Sequence, residues 1–326
     1  MRHMAANQWL RRLKRRWDTF SIQRVTGVAA APHRETLDRI LATPAADRTP
    51  KELFGGAGDD FWLWCFTDGY REDERLRTLL PGFAPEEIQY QFAGAAGDDT
   101  MRDAFGFYCL VKSLVAQHAM RPPESILEFG CGWGRIIRFF LKDVQPDRLW
   151  GIDCMPEAIA LCTSTNRHSH FELVNPFPPT SVPDSAFDLV YSYSVFSHLS
   201  EAAHLAWLGE FKRILKPGGL VIATTRPREF ILTCAKARAA KEERDWAQGT
   251  VLAFRDTEDA LRRFDRGEYL YEGLGAGGVL DASFFGETCI PQQYVLEHWT
   301  KLFEFIGYID DRRLCLQNVI VVRKPA

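Results

Sequence analysis

Between Ser125 and Thr225 the chain moves back and forth between short apolar runs and amphipathic stretches. Few folds accommodate that rhythm. SILEF, DRLWGID, HFELV, AFDLVYSYS and LVIATT each read as a strand. Gly134 to Lys142 reads as a helix, and Pro156 suits the first turn of another. SEAAHLAWLGEFKRIL reads as a third, capped by Ser200, with Leu205, Leu208, Phe211 and Leu215 on one face. Strands alternating with helices at this spacing specify right-handed βαβ units, a parallel sheet and helices on both faces. KLFEFIGYID and CLQNVIVVRK read as two further strands that return as an antiparallel hairpin.

Four stretches follow from this pattern. Residues 1–99 are a helical N-terminal extension, 100–226 the α/β core, 227–302 a helical excursion, and 303–326 the strands that complete the sheet. Within the first stretch, NQWLRRLKRRWDTF places Trp9, Leu10, Leu13, Trp17 and Phe20 within an arc of about 100°. Arginines and lysine fill the rest. Such a helix either covers its own domain or makes peripheral contact with an anionic membrane through residues 7–20. DDFWLWCFTDGY is dense in aromatic residues and is expected to be buried. Thr100 and Asp103 are expected to cap the helix that carries Phe107, Leu110, Val111, Leu114 and Val115 on one face. That helix is expected to run to Arg121-Pro122-Pro123. A long excursion in a compact domain is usually a lid or a binding element.

Composition narrows the function classes. The net charge of -3 provides no field to recruit nucleic acid. The eight cysteines show no CxxC or CxxH spacing, so they are expected to be free thiols in a reducing, cytoplasmic setting, with no metal site. No apolar run reaches about 18 residues, so no membrane span is expected. The N-terminus is charged and lacks an apolar signal core, so secretion is not expected.

The sharpest local feature is ILEFGCGWGRIIRFF, with Gly130, Gly132 and Gly134 directly after an apolar strand. Glycine weakens an element interior, so bare backbone must serve a purpose there. In an open α/β sheet, ligands sit beyond the carboxyl ends of the strands, and glycines at the first turn admit a ligand against the backbone. Asp153 ends the second strand close to the expected distance of about 20 residues from the glycines, where an acid takes a ribose diol. The spacing departs from the dinucleotide pattern, because Arg135 follows Gly134 where that pattern wants its glycine. Glu128 suits a cationic ligand group better than a pyrophosphate. A nicotinamide-dependent oxidoreductase is therefore disfavoured.

ILEFGCGWG followed by GID, then PDSAFDLVYSYSVFSHL and FKRILKPGGLVIAT, resembles the class I S-adenosylmethionine-dependent methyltransferases, in particular their small-molecule and glycan branch. The resemblance is close over residues 100 to 226. It implies a Rossmann-like seven-stranded sheet, mostly parallel with the last strand antiparallel, and S-adenosylmethionine as cofactor. It implies that Glu128, Gly130, Cys131 and Gly132 wrap the methionine half and that Asp153 binds the ribose. Cys154 and Met155 would flank the adenine, and Asn175 would stand at its edge. Ser192 and Tyr193 would lie nearest the methyl group. Arg135 would meet either the cofactor carboxylate or an acidic substrate. A small-molecule, sugar or lipid-linked acceptor would be methylated, and nucleic acid would not.

Several plainer readings stand beside these. Asp153 could simply cap the next helix, Cys131, Cys154 and Cys162 could be packed side chains, and His198 could be a satisfied structural histidine. For a hydroxyl acceptor the candidate bases are His198, Tyr271, Glu287 and His298. The alternative to an enzyme is a partner or sensor module that binds S-adenosylmethionine without turnover.

Overall fold

A computed structural model describes residues 30–42, 48–241 and 248–326. The basic stretch 7–20 lies outside them. The N-terminal helices are α1 (Ala30–Leu41), α2 (Pro50–Phe54), α3 (Asp59–Trp64), α4 (Asp68–Glu72), α5 (Glu74–Leu79), α6 (Glu86–Ala93) and the long α7 (Asp98–His118). The core then runs β1 (Ile126–Phe129), β2 (Leu149–Asp153), α8 (Pro156–Thr165), β3 (His170–Leu173), β4 (Phe187–Ser192), α9 (Glu201–Ile214) and β5 (Leu215–Thr225). The excursion holds α10 (Arg228–Ala239), α11 (Gln248–Leu252), α12 (Thr257–Asp265) and a ribbon of β6 (Leu270–Gly273) with β7 (Gly286–Cys289). The excursion ends with α13 (Gln292–His298), and β8 (Glu304–Ile309) and β9 (Asn318–Arg323) follow.

Seven strands form one sheet in the order β3-β2-β1-β4-β5-β9-β8. All pairings from β3 to β5 are parallel, and β9 runs antiparallel to both β5 and β8. The order reverses between β1 and β4, which creates a crevice at their carboxyl ends. Because β9 is antiparallel, its first residue lies at that same edge, with Asn318 opposite Thr225.

Side chains alternate across the sheet with period two. Ile126, Leu189, Tyr191, Leu220, Ile222, Val319 and Val321 face α7 and the aromatic residues of the N-terminal helices. Leu127, Val190, Val221, Ile320 and Val322 face Trp207 and Phe211 of α9, Val295 of α13, and Trp299. A smaller cluster of Phe230, Ile231, Cys234, Phe254, Leu270 and Cys289 holds the excursion together. Within DDFWLWCFTDGY, Phe61 to Thr67 are buried as expected, with Trp62 and Cys65 fully covered, while Asp59 and Asp60 are exposed. No described helix is long and apolar enough to cross a membrane.

Two local expectations give way. The helix α7 starts at Asp98 after Gly97 and ends at His118, so Thr100 lies inside it with its hydroxyl buried and unpartnered among the described residues. Asp98 and Asp99 suit the helix start electrostatically and take over that end. After the glycines, the backbone makes turns and then a 3-10 helix over Ile137–Lys142 instead of an α-helix from Gly134. The Gly134 carbonyl, which α-helical bonding would offer to the Arg138 N–H, instead accepts from Arg138 Nε at 2.9 Å. Ser200 does cap α9, its hydroxyl accepting from the Ala203 N–H.

Candidate active site

The β1 carboxyl end turns sharply at Gly130, whose φ is +73°. A Cβ there would stand 2.2 Å from Val195 Cγ2, so both the backbone conformation and the space demand glycine. Gly132, at φ +52°, donates its N–H to Asp153 Oδ2 at 2.9 Å. Met155 donates its N–H to Asp153 Oδ1 at 2.9 Å. The β1 loop and the β2 carboxylate are thereby tied together on one side of the crevice. Each carboxylate oxygen accepts one backbone proton and keeps capacity for a second. Burial raises the Asp153 pKa, and these amides pull it down again. Cys131 and Cys162 are buried, and Cys162 Sγ lies 3.1 Å from the Gly132 carbonyl. Both thiols pack beneath the loop.

Glu128 lies deeper than the sequence suggests and is 2% exposed. Its Oε2 accepts from the Ile137 N–H and from the Tyr191 hydroxyl, both at 3.0 Å. That oxygen braces the loop from below, leaving Oε1 as the one without a hydrogen bond among the described residues. Burial pushes the Glu128 pKa up to about 8, against the pull of the Tyr191 hydroxyl and the nearby Arg135.

Beyond β2 and β3, Cys154, Pro156, Asn175 and Thr180 line a cleft of about 340 Å³ that Val279 of the excursion also reaches. Met155 adjoins it in sequence, between Cys154 and Pro156. At the end of β4, Ser192 is buried and its hydroxyl has no partner among the described residues. These residues fit S-adenosylmethionine on their own evidence. The structure offers a conformationally glycine-only turn, a carboxylate with spare acceptor capacity and a neighbouring cleft, features that a nucleoside-containing cofactor can use.

On the far side of the crevice the structure assembles a second group. His198 follows β4, and its Nδ1 lies 2.7 Å from the Gly286 carbonyl on β7. A carbonyl only accepts, so Nδ1 carries the proton and Nε2 is the basic nitrogen. The ring stacks on Phe285 with centroids 4.9 Å apart. Burial lowers the His198 pKa, with Glu287 acting in the opposite sense. Glu287 Oε1 lies 3.8 Å from Nδ1, and Glu287 Oε2 accepts from Arg226 Nε at 3.1 Å.

Tyr271 and His298 are not brought to this group. Tyr271 pairs with Thr288 and Glu272 with Glu287, so Tyr271 and Glu287 face opposite sides of the ribbon. The Tyr271 hydroxyl donates to the Ala282 carbonyl at 2.7 Å. His298 stacks on Tyr294 of α13, with centroids 4.0 Å apart. Among the described residues no cluster of His, Cys, Asp and Glu could hold a metal ion.

Sequence reasoning passed over Arg226 and Gln317. Arg226 directly follows the fifth strand, so its position at the carboxyl edge was available from the pattern. Gln317 directly precedes β9 and donates to Ser194 Oγ at 2.8 Å, while its own Oε1 is buried without a partner among the described residues. No local signal marks a residue that comes from so far along the chain.

Sheet order, glycine turn and linked carboxylate together define a Rossmann-like core built for an adenosine-containing cofactor. Residues 126–219 match the family described as a methyltransferase domain. The core is thus a methyltransferase domain with S-adenosylmethionine as its cofactor. An uncharacterized methyltransferase of Geobacillus kaustophilus is 26% identical over 190 residues, covering 57% of this chain and 85% of that protein. Among solved structures, an S-adenosylmethionine-dependent methyltransferase from Mesorhizobium loti is 12% identical with a TM-score of 0.44, covering 67% of this chain and 98% of that one. The N-methyltransferase NodS of Bradyrhizobium japonicum in complex with S-adenosyl-L-homocysteine is 14% identical with a TM-score of 0.40, covering 69% and 88%.

Proposed function

We propose that this methyltransferase acts on a small-molecule, glycan or lipid-linked acceptor by in-line displacement. The observation that carries the reading is the clasp between the Gly132 N–H and Asp153, which faces a separate polar group across the crevice. One side has the features of a cofactor site and the other those of an acceptor site. Bound in the crevice, the cofactor supplies a methyl group on a positively charged sulfur.

Asp153 takes the ribose hydroxyls, and the backbone of Gly130, Cys131 and Gly132 cradles the amino-acid tail together with Glu128 Oε1. Cys154, Met155 and Asn175 bound the base. Ser192 and Tyr193 stand at the methyl position. Methyl transfer to a neutral nucleophile demands alignment more than anion stabilisation, and the rigid strand ends provide it. Where the acceptor atom carries a proton, His198 Nε2 receives it, with Glu287 favouring the resulting imidazolium. The Tyr271 hydroxyl, spent on the Ala282 carbonyl, takes no part in proton removal. The excursion, whose ribbon positions Gly286 and Glu287, shields the site from water.

The test has two stages. Calorimetry with the purified chain is expected to show S-adenosylmethionine binding. A screen of small-molecule, glycan and lipid-linked acceptors is then expected to yield a product heavier by one CH2, with S-adenosylhomocysteine released. A chain that does not bind the cofactor would remove the reading. Binding with no turnover across all three acceptor classes would leave only the sensor or partner role.

A further inference from the structure

Two guanidinium groups at the carboxyl edge of the sheet are left largely unused by the protein. Arg135 lies over the Tyr193 ring at 5.0 Å, with no hydrogen bond or ion pair among the described residues. Arg226 stacks on the Phe230 ring at 4.3 Å and gives Nε to Glu287. Neither terminal nitrogen of Arg226 has a partner among the described residues, although the side chain is only 24% exposed. Elsewhere this chain forks its arginines onto carboxylates even in open solvent: Arg228 holds both oxygens of Asp265. Arg138 also leaves both terminal nitrogens unpartnered, but it is fully buried among aromatic rings, whereas those of Arg226 stay within reach of an incoming group and call for an occupant.

Position identifies the occupant's side. Arg226 follows β5, next to β4 and two strands away from β1, so it lies on the acceptor's flank of the methyl position. Tyr193, directly after β4, feels the charges of both Arg135 and Arg226. The opposing acids are accounted for. Glu287 is engaged by Arg226 Nε, Glu128 is buried beneath the loop, and Asp103 is an exposed α7 residue with a contact of its own. The aromatic shelf under Arg226 fixes the guanidinium plane, and two parallel N–H groups in a fixed plane match two oxygens of a carboxylate or phosphate.

We propose that Arg226 is the anchor for an anionic methyl acceptor, its two terminal nitrogens holding a carboxylate or phosphate group while the nucleophilic atom faces Ser192 and Tyr193. Arg135 adds its field without making the contact. The proposal rests on the methyltransferase reading and supplies the acceptor chemistry that reading leaves open.

The test uses the full chain, with and without S-adenosylhomocysteine, titrated with inorganic phosphate and with acetate by calorimetry. The wild type is expected to bind at least one of them. Arg226→Met is expected to weaken that binding about tenfold or more. Arg226→Lys, which keeps the charge and loses the fork, should fall between, and the affinity of both variants for S-adenosylhomocysteine should stay at the wild-type value. Should the Met variant not fold, Arg226→Gln takes its place. Equal anion binding by wild type and variant would overturn the proposal, as would failure of the wild type to bind either anion at about 10 mM. Failure of the methyltransferase reading is separately visible, as loss of S-adenosylhomocysteine binding by the wild type itself.

Discussion

Asp153 and Glu128 show how the carboxylate group takes two different jobs on adjacent strands. Asp153 is held open at the crevice by amides that occupy one lone pair on each oxygen. Asp153→Ala removes both the ribose acceptor and the partner of the Gly132 N–H. Calorimetry should show S-adenosylmethionine affinity falling about tenfold to a hundredfold, with Asp153→Asn intermediate. Glu128 braces the loop through Oε2 as well, and its raised pKa has a consequence for stability. The folded protein binds a proton at Glu128 between the ordinary value of 4.5 and about 8, whereas the unfolded chain has released it. Stability therefore declines as pH rises through that window. Glu128→Gln keeps an oxygen for Ile137 and Tyr191 without the buried charge. Its melting temperature should fall less than that of the wild type between pH 5 and pH 8, and parallel pH profiles would refute the assignment. Both acids were legible in the sequence because they flank glycines at strand ends. Their division of labour was not, because it depends on Tyr191 and Ile137 closing over one of them.

At the scale of elements, the β6–β7 ribbon acts as a brace for the segment after β4. Gly286 and Thr288 donate their N–H groups to the His198 and Ser197 carbonyls, each at 2.8 Å. The Thr288 and Tyr269 hydroxyls both donate to the Leu199 carbonyl, at 2.6 and 2.9 Å. His198 is thus aimed by an element some 90 residues later in the chain. Replacing both hydroxyls, Tyr269→Phe with Thr288→Val, strips the Leu199 carbonyl of its side-chain donors. The cost should be about 1–3 kcal/mol, concentrated at the ribbon. Hydrogen exchange at the Gly286 and Thr288 amides should accelerate while S-adenosylhomocysteine affinity holds. Unchanged exchange would mean that the ribbon is held by its own packing. The seven sheet strands were readable because each pairs an apolar run with a turn signal. The ribbon was not, since GLGAGG loops and four-residue strands carry little periodicity, and its partner lies in a distant stretch. The 3-10 segment was misread as α-helix because its apolar spacing suits both, and only the Arg138 side chain breaks the tie.

For the whole molecule, the N-terminal helices are better described as one wall of the core than as an appendage to it. Trp62 Nε1 donates to the Phe139 carbonyl at 2.9 Å, and buried Lys142 pairs with Asp59 at 2.6 Å. Arg138 is fully buried between the rings of Trp133 and Phe83, at 4.7 and 4.9 Å, so a cation beside the glycine loop is stabilised by an aromatic residue from the N-terminal region. Phe92 of α6 lies against Gly132 itself. Aromatic density in the sequence signalled burial there, but which surface those rings would cover depends on long-range contacts that no local pattern encodes. A chain lacking residues 1–97 would expose Ile137, Phe139 and Phe140 and would leave Arg138 with one face of its aromatic sandwich removed. Burial already lowers the Arg138 pKa to about 10, which reflects how poorly this charge is solvated. Losing several large apolar contacts at about 1.5–3 kcal/mol each exceeds the margin of a typical domain. The truncated chain should therefore lack a cooperative thermal transition, lose near-ultraviolet circular dichroism, and fail to bind S-adenosylhomocysteine. A truncated chain that melts cooperatively and binds the cofactor product like the full chain would show instead that residues 98–326 fold alone and that the N-terminal wall is dispensable.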